Sequence, residues 1–306
     1  MKIIFKKFIY NIIMNNLNII LVSVGNFQEY IIDNISQLIK LEYKNIYVIT
    51  NKHFFPKLDI YKDNIKLIDP DQYNITNFKN NTKLNKKFRN GFWVYASMRL
   101  YLVCELIKKE NLVNCIHIEN DVLLYKNFES YNFENKLYLS IDGLFWINEK
   151  KGILSNDFRC IPGILYIPSY NELKLALDNF NYTKDDMFNL GEFYKNNKDK
   201  CITFPIIKKN SKYNYDDIYS TNYNNFNGIF DAAAIGQYLG GVDPRNIKGS
   251  SVGFINEVCV VKYNNYNFEI IIDNKGHKLP YIIINNEKIP VYTLHIHSKN
   301  LKPFLI

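Results

Sequence analysis

The stretch Cys115-Ile116-His117-Ile118-Glu119-Asn120-Asp121-Val122-Leu123-Leu124-Tyr125 runs as an apolar strand, breaks at two acids and then resumes. Glu119 and Asp121 have one residue between them, so on extended backbone or in a tight turn both carboxylates project to one side and can reach one cation. Mg2+ and Mn2+ take oxygen donors, commonly one or two carboxylates plus substrate phosphates, and the pair therefore suggests an enzyme that handles a diphosphate. An acidic turn closing a strand is the plainer alternative.

The segment ahead of the pair sets the fold. Asn18 to Gly25 (NIILVSVG) reads as a buried parallel strand, an apolar-periodic helix covers about Glu29 to Leu41, and Asn45 to Thr50 (NIYVIT) and Ile65 to Ile68 are further strands. This rhythm opens a doubly wound nucleotide-binding half, whose ligands lie beyond the carboxyl ends of the strands. Val24, Gly25, Asn26, Thr50 and Asn51 are therefore expected to line the crevice. Neither GxGxxG nor GxxxxGK[ST] occurs, which argues against a dinucleotide fingerprint and a Walker loop. Gly91 to Lys109 reads as a long helix, with Trp93, Ala96, Leu100, Val103 and Ile107 at helical spacing. Arg99 is the one charge between Phe92 and Cys104, and it must be paired or face a polar site. The strand Val113 to Ile118 then delivers Glu119 and Asp121 at its carboxyl end.

Downstream, Lys136 to Ile141 and Gly163 to Ile167 read as strands and Asn171 to Phe180 as a helix. Phe230 to Leu239 (FDAAAIGQYL) reads as a short helix stopped by Gly240-Gly241, with a turn at Asp243-Pro244. The polar tracts Asn77 to Lys87 and Tyr213 to Asn227 read as loops. From Val258 onward apolar runs alternate with Asn- or Gly-rich turns, as in small antiparallel ribbons packed on a main sheet. The expected architecture is α/β, a single domain over 18–306 with a mostly parallel, Rossmann-type central sheet flanked by helices and a small antiparallel C-terminal ribbon. An N-terminal segment, 1–17, precedes it and is compatible with a short helix.

Composition narrows the classes further. A 306-residue chain that is 47% apolar can bury a sizeable core. The net charge of +8 allows an anionic partner, but the lysines are dispersed and no helix-turn-helix, zinc-finger or RNP pattern accompanies them, so no nucleic acid is expected. Cys104, Cys115, Cys160, Cys201 and Cys259 form no CxxC pair and have apolar neighbours, which points to reduced, mostly buried thiols and a cytoplasmic setting. Lys6, Lys7, Asn11, Asn15, Asn16 and Asn18 interrupt the apolar N-terminus, so no run approaches the roughly 18 residues of a bilayer span. Peripheral membrane contact by a short helix stays open.

Four segments follow one another along the chain: Ser97-Met98-Arg99-Leu100, Glu119-Asn120-Asp121, Arg159-Cys160-Ile161-Pro162-Gly163, and His297-Ser298-Lys299-Asn300-Leu301-Lys302-Pro303-Phe304. In this order they resemble the GT-A class of nucleotide-sugar glycosyltransferases, of the glycogenin and bacterial galactosyltransferase type, with related viral and bacterial sugar transferases. The first falls where that family has a tyrosine-arginine-leucine helix, and the second where it has its D-x-D metal motif. The third is similar to its Asn-x-Gly strand, and the last to its terminal histidine with a Lys-Pro-Trp segment. The chain departs from the family in using Glu for the first Asp, in lacking the Asn, and in placing His295 and His297 on either side of the usual distance from Lys302.

The resemblance implies a metal-dependent glycosyltransferase of hexosyltransferase type. It would move a sugar from a nucleotide-diphosphate donor, a UDP-sugar first, to a hydroxyl of a glycan or protein, with Mn2+ or Mg2+. Asp121 would hold the metal directly and Glu119 would either join it there or hold the ribose and a bound water, with His297 preferred as third ligand over His295, which shares its face. Asn120 and Gly163 would line the donor site, and Arg99 and Lys302 would neutralise the diphosphate, Arg99 also bracing the acidic turn; ordinary salt bridging is the plainer alternative for both. Asp231 reads either as a helix N-cap, kept ionised by the helix N-terminus, or as a general base or sugar holder. Asp142 is a second candidate for sugar contact. Two other classes compete. A sugar-1-phosphate nucleotidyltransferase would carry a Gly-rich basic loop where this chain has Val24-Gly25-Asn26-Phe27-Gln28, and a non-catalytic sugar-binding relative would tolerate the altered acidic motif.

Overall fold

Every residue from Asn18 to Ser23 is buried, as a strand covered on both faces requires. This strand, β1, lies inside a seven-stranded sheet of a computed structural model that describes residues 17–148, 153–209, 217–241 and 267–306. The remaining strands are β2 (Asn45–Thr50), β3 (Ile65–Ile68), β4 (Cys115–Ile118), β5 (Val122–Leu124), β6 (Leu137–Leu139), β7 (Ile141–Asn148), β8 (Ile153–Cys160), β9 (Ile164–Ile167), β10 (Cys201–Thr203), β11 (Ile229–Phe230), β12 (Asn267–Ile272), β13 (Lys278–Ile284) and β14 (Glu287–His295). The helices are α1 (Ile31–Lys40), α2 (Thr76–Asn81), α3 (Phe92–Glu110), α4 (Tyr170–Asp178), α5 (Asp186–Asn196) and the single turn α6 (Tyr223–Phe226).

The main sheet has the order β10-β6-β9-β4-β1-β2-β3. Only β9 runs against its neighbours; the other pairings are parallel. Strand alternation divides the core: Ile19 and Leu21 face Ile31, Ile35 and Leu38 of α1, while Ile20 and Val22 join Leu100, Val103 and Ile107 of α3. Moving outward from β1, the chain continues to β2 and β3 on one side and returns to β4 on the other. This reversal makes the gap between β1 and β4 a topological switch point of the sheet. The architecture is thus α/β with a mostly parallel sheet, flanking helices and a second, largely antiparallel sheet at the C-terminus.

That second sheet has the order β11-β14-β13-β12, and β5 adds to β14 antiparallel. Because β5 begins immediately after Asp121, this pairing ties the acidic turn to the end of the chain.

Several elements differ from the sequence reading, each for a local reason. Phe230 to Leu239 is not an α-helix: Phe230 is drawn into β11 beside β14, Ala233 takes φ +59°, and only Gly236–Tyr238 closes a 3-10 turn. Tertiary pairing here overrides the helix propensity of three alanines. The strand expected over Lys136 to Ile141 splits at Ser140, so that β6 stays in the main sheet and β7 forms a hairpin with β8. Helix α2 enters the Asn-rich tract read as a loop, and α5 and β10 were not anticipated. The N-terminal segment 1–16 and the turn at Asp243-Pro244 lie outside the described residues. Among the described residues no helix is long and apolar enough to cross a membrane.

Cys104, Cys115, Cys160 and Cys201 are free and buried. Burial pushes the thiols of Cys104, Cys115 and Cys201 up to about 12, and that of Cys160 well above its ordinary value. At pH 8 only ~10⁻⁴ of such a thiol is ionised. Pulse alkylation with iodoacetamide followed by peptide mapping should leave these four unmodified in the native chain and modify all four in guanidinium.

Candidate functional site

The acidic turn is fixed from four directions before any side-chain charge is considered. The amide of Glu119 donates to the carbonyl of Gly163 at 2.9 Å, next to β9, and the amide of Val122 closes the turn on the Glu119 carbonyl at 3.0 Å. The Asn120 side chain, nearly buried, donates to the Val22 carbonyl of β1 at 2.8 Å. From α1 the fully buried Asn34 amide reaches the carbonyls of Glu119, Asn120 and Val122 at 3.3, 3.1 and 2.8 Å. On the fourth side the Ile296 amide donates to the Asp121 carbonyl at 2.9 Å, continuing the β5–β14 ladder in which His295 stands opposite Val122.

That register brings His295 onto the carboxylates. Its Nε2 lies 2.9 Å from Glu119 Oε2 and 3.5 Å from Asp121 Oδ2, and one ligand atom from each of the three residues falls within 4.8 Å of the others. Gly163 makes room for the ring, since a Cβ there would lie 3.0 Å from His295 Nδ1. That Nδ1 is buried without a hydrogen-bond partner among the described residues. Two carboxylate oxygens and an imidazole nitrogen converging on one point form a donor set that suits Mn2+ or Mg2+. His297, the ligand preferred from sequence, lies buried beside this group, its ring edge-on to His295 with centroids 4.5 Å apart.

Two permanent cations complete the cluster. Arg99 of α3 pairs with Glu119 and also lies 3.0 Å from Asp186 Oδ2 at the start of α5, so it braces the turn from behind. Lys299, beyond β14, pairs with Asp121. Burial favours the neutral acids, yet Arg99 and His295 outweigh it at Glu119, and Lys299 and His295 do so at Asp121, so both acids are held below the usual carboxylate range. Burial lowers the His295 value, but Asp121 and Glu119 together raise it to about 10. At Asp186 burial dominates and pushes the carboxyl up to about 7.

Beyond the ends of β1 to β3 lies a crevice of about 420 Å³, lined by none of the residues of the cluster. Val24, Gly25 and Asn51 line it together with Asp71, Lys79, Tyr95 and Met98. The Gly25 amide donates to Asn51 Oδ1 at 2.9 Å, and Thr50, fully buried, donates its hydroxyl to the Ser23 carbonyl at 2.7 Å, so these residues join the two strand ends. Gly25 has φ +81° and sits against Tyr95, whose ring a Cβ would meet at 2.9 Å. Asn26 is exposed at the tip.

Two sequence candidates, Lys302 and Asp142, stand elsewhere, and a third, Asp231, reaches the backbone of His295. Lys302 is exposed on a C-terminal 3-10 turn, where its field acts on Asp33 of α1; among the described residues it forms no ion pair, and Lys299 is the lysine at Asp121. Asp142 is fully buried and paired with Arg159 across the base of the β7–β8 hairpin. Asp231 does not head a helix. One of its oxygens accepts the amides of Ala234 and Ile235 at 2.8 and 2.9 Å, and the other those of Gly236 and His295 at 2.7 and 3.0 Å. Burial raises its pKa against the pull of these bonds, where a helix N-terminus would have lowered it. Sequence reading missed Asn34, Asp186 and Lys299; of these only Lys299 lay in a segment already singled out.

No protein-family model matches the sequence, and a search of curated proteins finds no match. Comparison with solved structures finds loose overlaps. A structure described as PaToxG glycosyltransferase is 16% identical with a TM-score of 0.36, over 64% of this chain and 78% of that one. The apo-form glycosyltransferase GlyE of Streptococcus pneumoniae TIGR4 is 11% identical with a TM-score of 0.34, over 61% of this chain and 44% of that one. A Bacillus anthracis protein designated a glucose-1-phosphate thymidylyltransferase is 9% identical with a TM-score of 0.39, over 61% of this chain and 85% of that one. Overlaps this loose leave the function to be argued from the residues.

Asn34→Ala should destabilise the fold by about 2 kcal/mol, because it strands buried carbonyls of the acidic turn. Asp231→Asn should do the same, since an amide cannot accept at both ends and so loses donors that Asp231 now satisfies. Denaturant titrations of both variants against wild type test this; shifts within about 0.5 kcal/mol would show that neither side chain holds the site together.

Proposed function

We propose that the chain is a metal-dependent glycosyltransferase that takes a sugar from a nucleoside-diphosphate donor, with UDP as the nucleotide, and passes it to a hydroxyl of a glycan or protein. The observation that carries this reading is the convergence of Glu119, Asp121 and His295 at the carboxyl edge of a mostly parallel sheet, the same edge at which the ends of β1 and β2 border a crevice. Residues 18–306 are taken as one catalytic domain. The order of the four sequence segments supports the transferase class. The β1 loop favours it over a nucleotidyltransferase, because Val24 to Gln28 contains no basic residue and its one glycine is engaged with Asn51.

A divalent cation held at the cluster would supply positive charge to a departing diphosphate. Glu119, Asp121 and His295 would hold it, and Arg99, tied to Asp186, keeps the Glu119 carboxylate in place. Val24, Gly25 and Asn51 would take the nucleoside, with the exposed ring of Tyr95 forming one wall. Asp231 serves in this reading as a positioning residue: it grips the His295 amide and so sets the imidazole against the carboxylates.

Thermal shifts with UDP, GDP, CDP and dTDP at equal concentration and fixed Mn2+ should be largest for UDP. Asp121→Ala should weaken metal-dependent UDP binding at least ~100-fold, the order expected when a charged ligand is removed from a buried cation. With UDP-sugars, slow metal-dependent hydrolysis supports the transferase. Pyrophosphate-dependent turnover would replace it with the nucleotidyltransferase, and sugar binding without any nucleotide binding would replace it with a lectin-like role.

A further inference from the structure

Glu119 and Asp121 each carry one permanently charged partner, but the two partners are held very differently. Arg99 projects from the middle of the long helix α3, is about nine-tenths buried in its side chain, and is clamped by a second carboxylate, Asp186. It has nowhere to go. Lys299 comes from the irregular segment between β14 and the C-terminal 3-10 turn, at a non-glycine position with φ +63°. Among the described residues its ion-pair partner is Asp121, and its ammonium otherwise lies 5.8 Å from the ring of Tyr30. A lysine ammonium is a compact charge on a flexible four-carbon stem, without the fixed fork that locks an arginine on a carboxylate.

A divalent cation and this ammonium cannot share the Asp121 carboxylate without strong repulsion. At a few ångströms and an effective dielectric constant of about 20, a unit charge pair is worth several RT, enough to shift an affinity by tenfold or more. Resting on the metal reading above, we infer that Lys299 is a displaceable counter-ion, which holds Asp121 in the metal-free protein and must leave for the cation to enter. The consequence is coupling between ligands. When the cation arrives alone, the ammonium is expelled into water; when a nucleoside diphosphate is present, the ammonium has a second anion to pair with. Metal and diphosphate therefore favour each other's binding, and part of that coupling passes through Lys299.

Mn2+ titrations of the full chain, followed by the electron paramagnetic resonance of free Mn2+, test this without any turnover. Without nucleotide, Lys299→Met and Lys299→Gln should each bind Mn2+ about tenfold or more tightly than wild type, while Lys299→Arg should not. The factor by which UDP tightens Mn2+ should fall in the Met and Gln variants. If both bind Mn2+ as wild type does, while Asp121→Asn abolishes binding, the counter-ion role is overturned and the metal site stands. If neither wild type nor these variants bind Mn2+, both readings fall together. The unmutated chain gives an independent readout by pulse acetylation with peptide mapping. Lys299 should gain reactivity on saturation with Mn2+, and unchanged protection overturns the inference.

Discussion

Two carboxylates with one residue between them, at the end of a fully buried strand, repel each other and lose their hydration; the surroundings of the Glu119–Asp121 turn answer that constraint. Removing an ion from water costs several kcal/mol even after relaxation, and a facing cation repays this only when the geometry is good. The chain supplies Arg99 from α3, Lys299 from the C-terminal segment and His295 from β14, and it fixes the turn through Asn34 and Asn120 so that these partners meet it squarely. Well-packed apolar residues in the same places would be as stable or more so. Stability alone therefore does not account for the cluster.

Much of the fold was legible because its elements are strongly periodic. The strands β1 to β4, the helices α1 and α3, and β9 all stand where apolar pattern placed them, and the position of the acidic pair at the carboxyl end of β4 followed from those strands alone. What the pattern could not carry was pairing between distant segments. Whether His295 or His297 meets the carboxylates depends on the register of β14 against β5, since the two share a face and a shift of two residues would exchange them. Asp231 misled for a related reason. A carboxylate ahead of three alanines has the form of a helix cap, and only the presence of β14 beside it reveals that its oxygens are shared between a local loop and the His295 amide. Asp186 gave no signal, since one acid at a helix start is common and its partner lies far away in sequence.

The polar ends of the first two strands show a division of labour that sequence also leaves hidden. Thr50 and Asn51 were both expected at the crevice, but Thr50 spends its hydroxyl on the Ser23 carbonyl, while Asn51 uses its carbonyl oxygen to hold the Gly25 amide. The left-handed conformation of Gly25 then lets the backbone pass close against Tyr95. A side chain at that position would collide with the ring, so the glycine permits this close approach.

Because β14 completes both the C-terminal sheet and the cluster, site and fold are coupled over nearly the whole chain. Gln37 of α1 donates to the Leu124 carbonyl and accepts the amide of Ile306, Lys40 donates to the Ile306 carbonyl, and the Tyr125 hydroxyl donates to the carbonyl of Phe304. The strand that follows the acidic turn and the last residues of the chain are thus bound to the same helix. A cation at Glu119, Asp121 and His295 would join β4 to β14 directly and add its binding free energy to these long-range contacts. Such contacts are slow to form, because the chain must close large loops before they repay the entropy. The carboxylates stand at the end of β4, and the histidine and the lysine that meet them come from β14 and the segment after it.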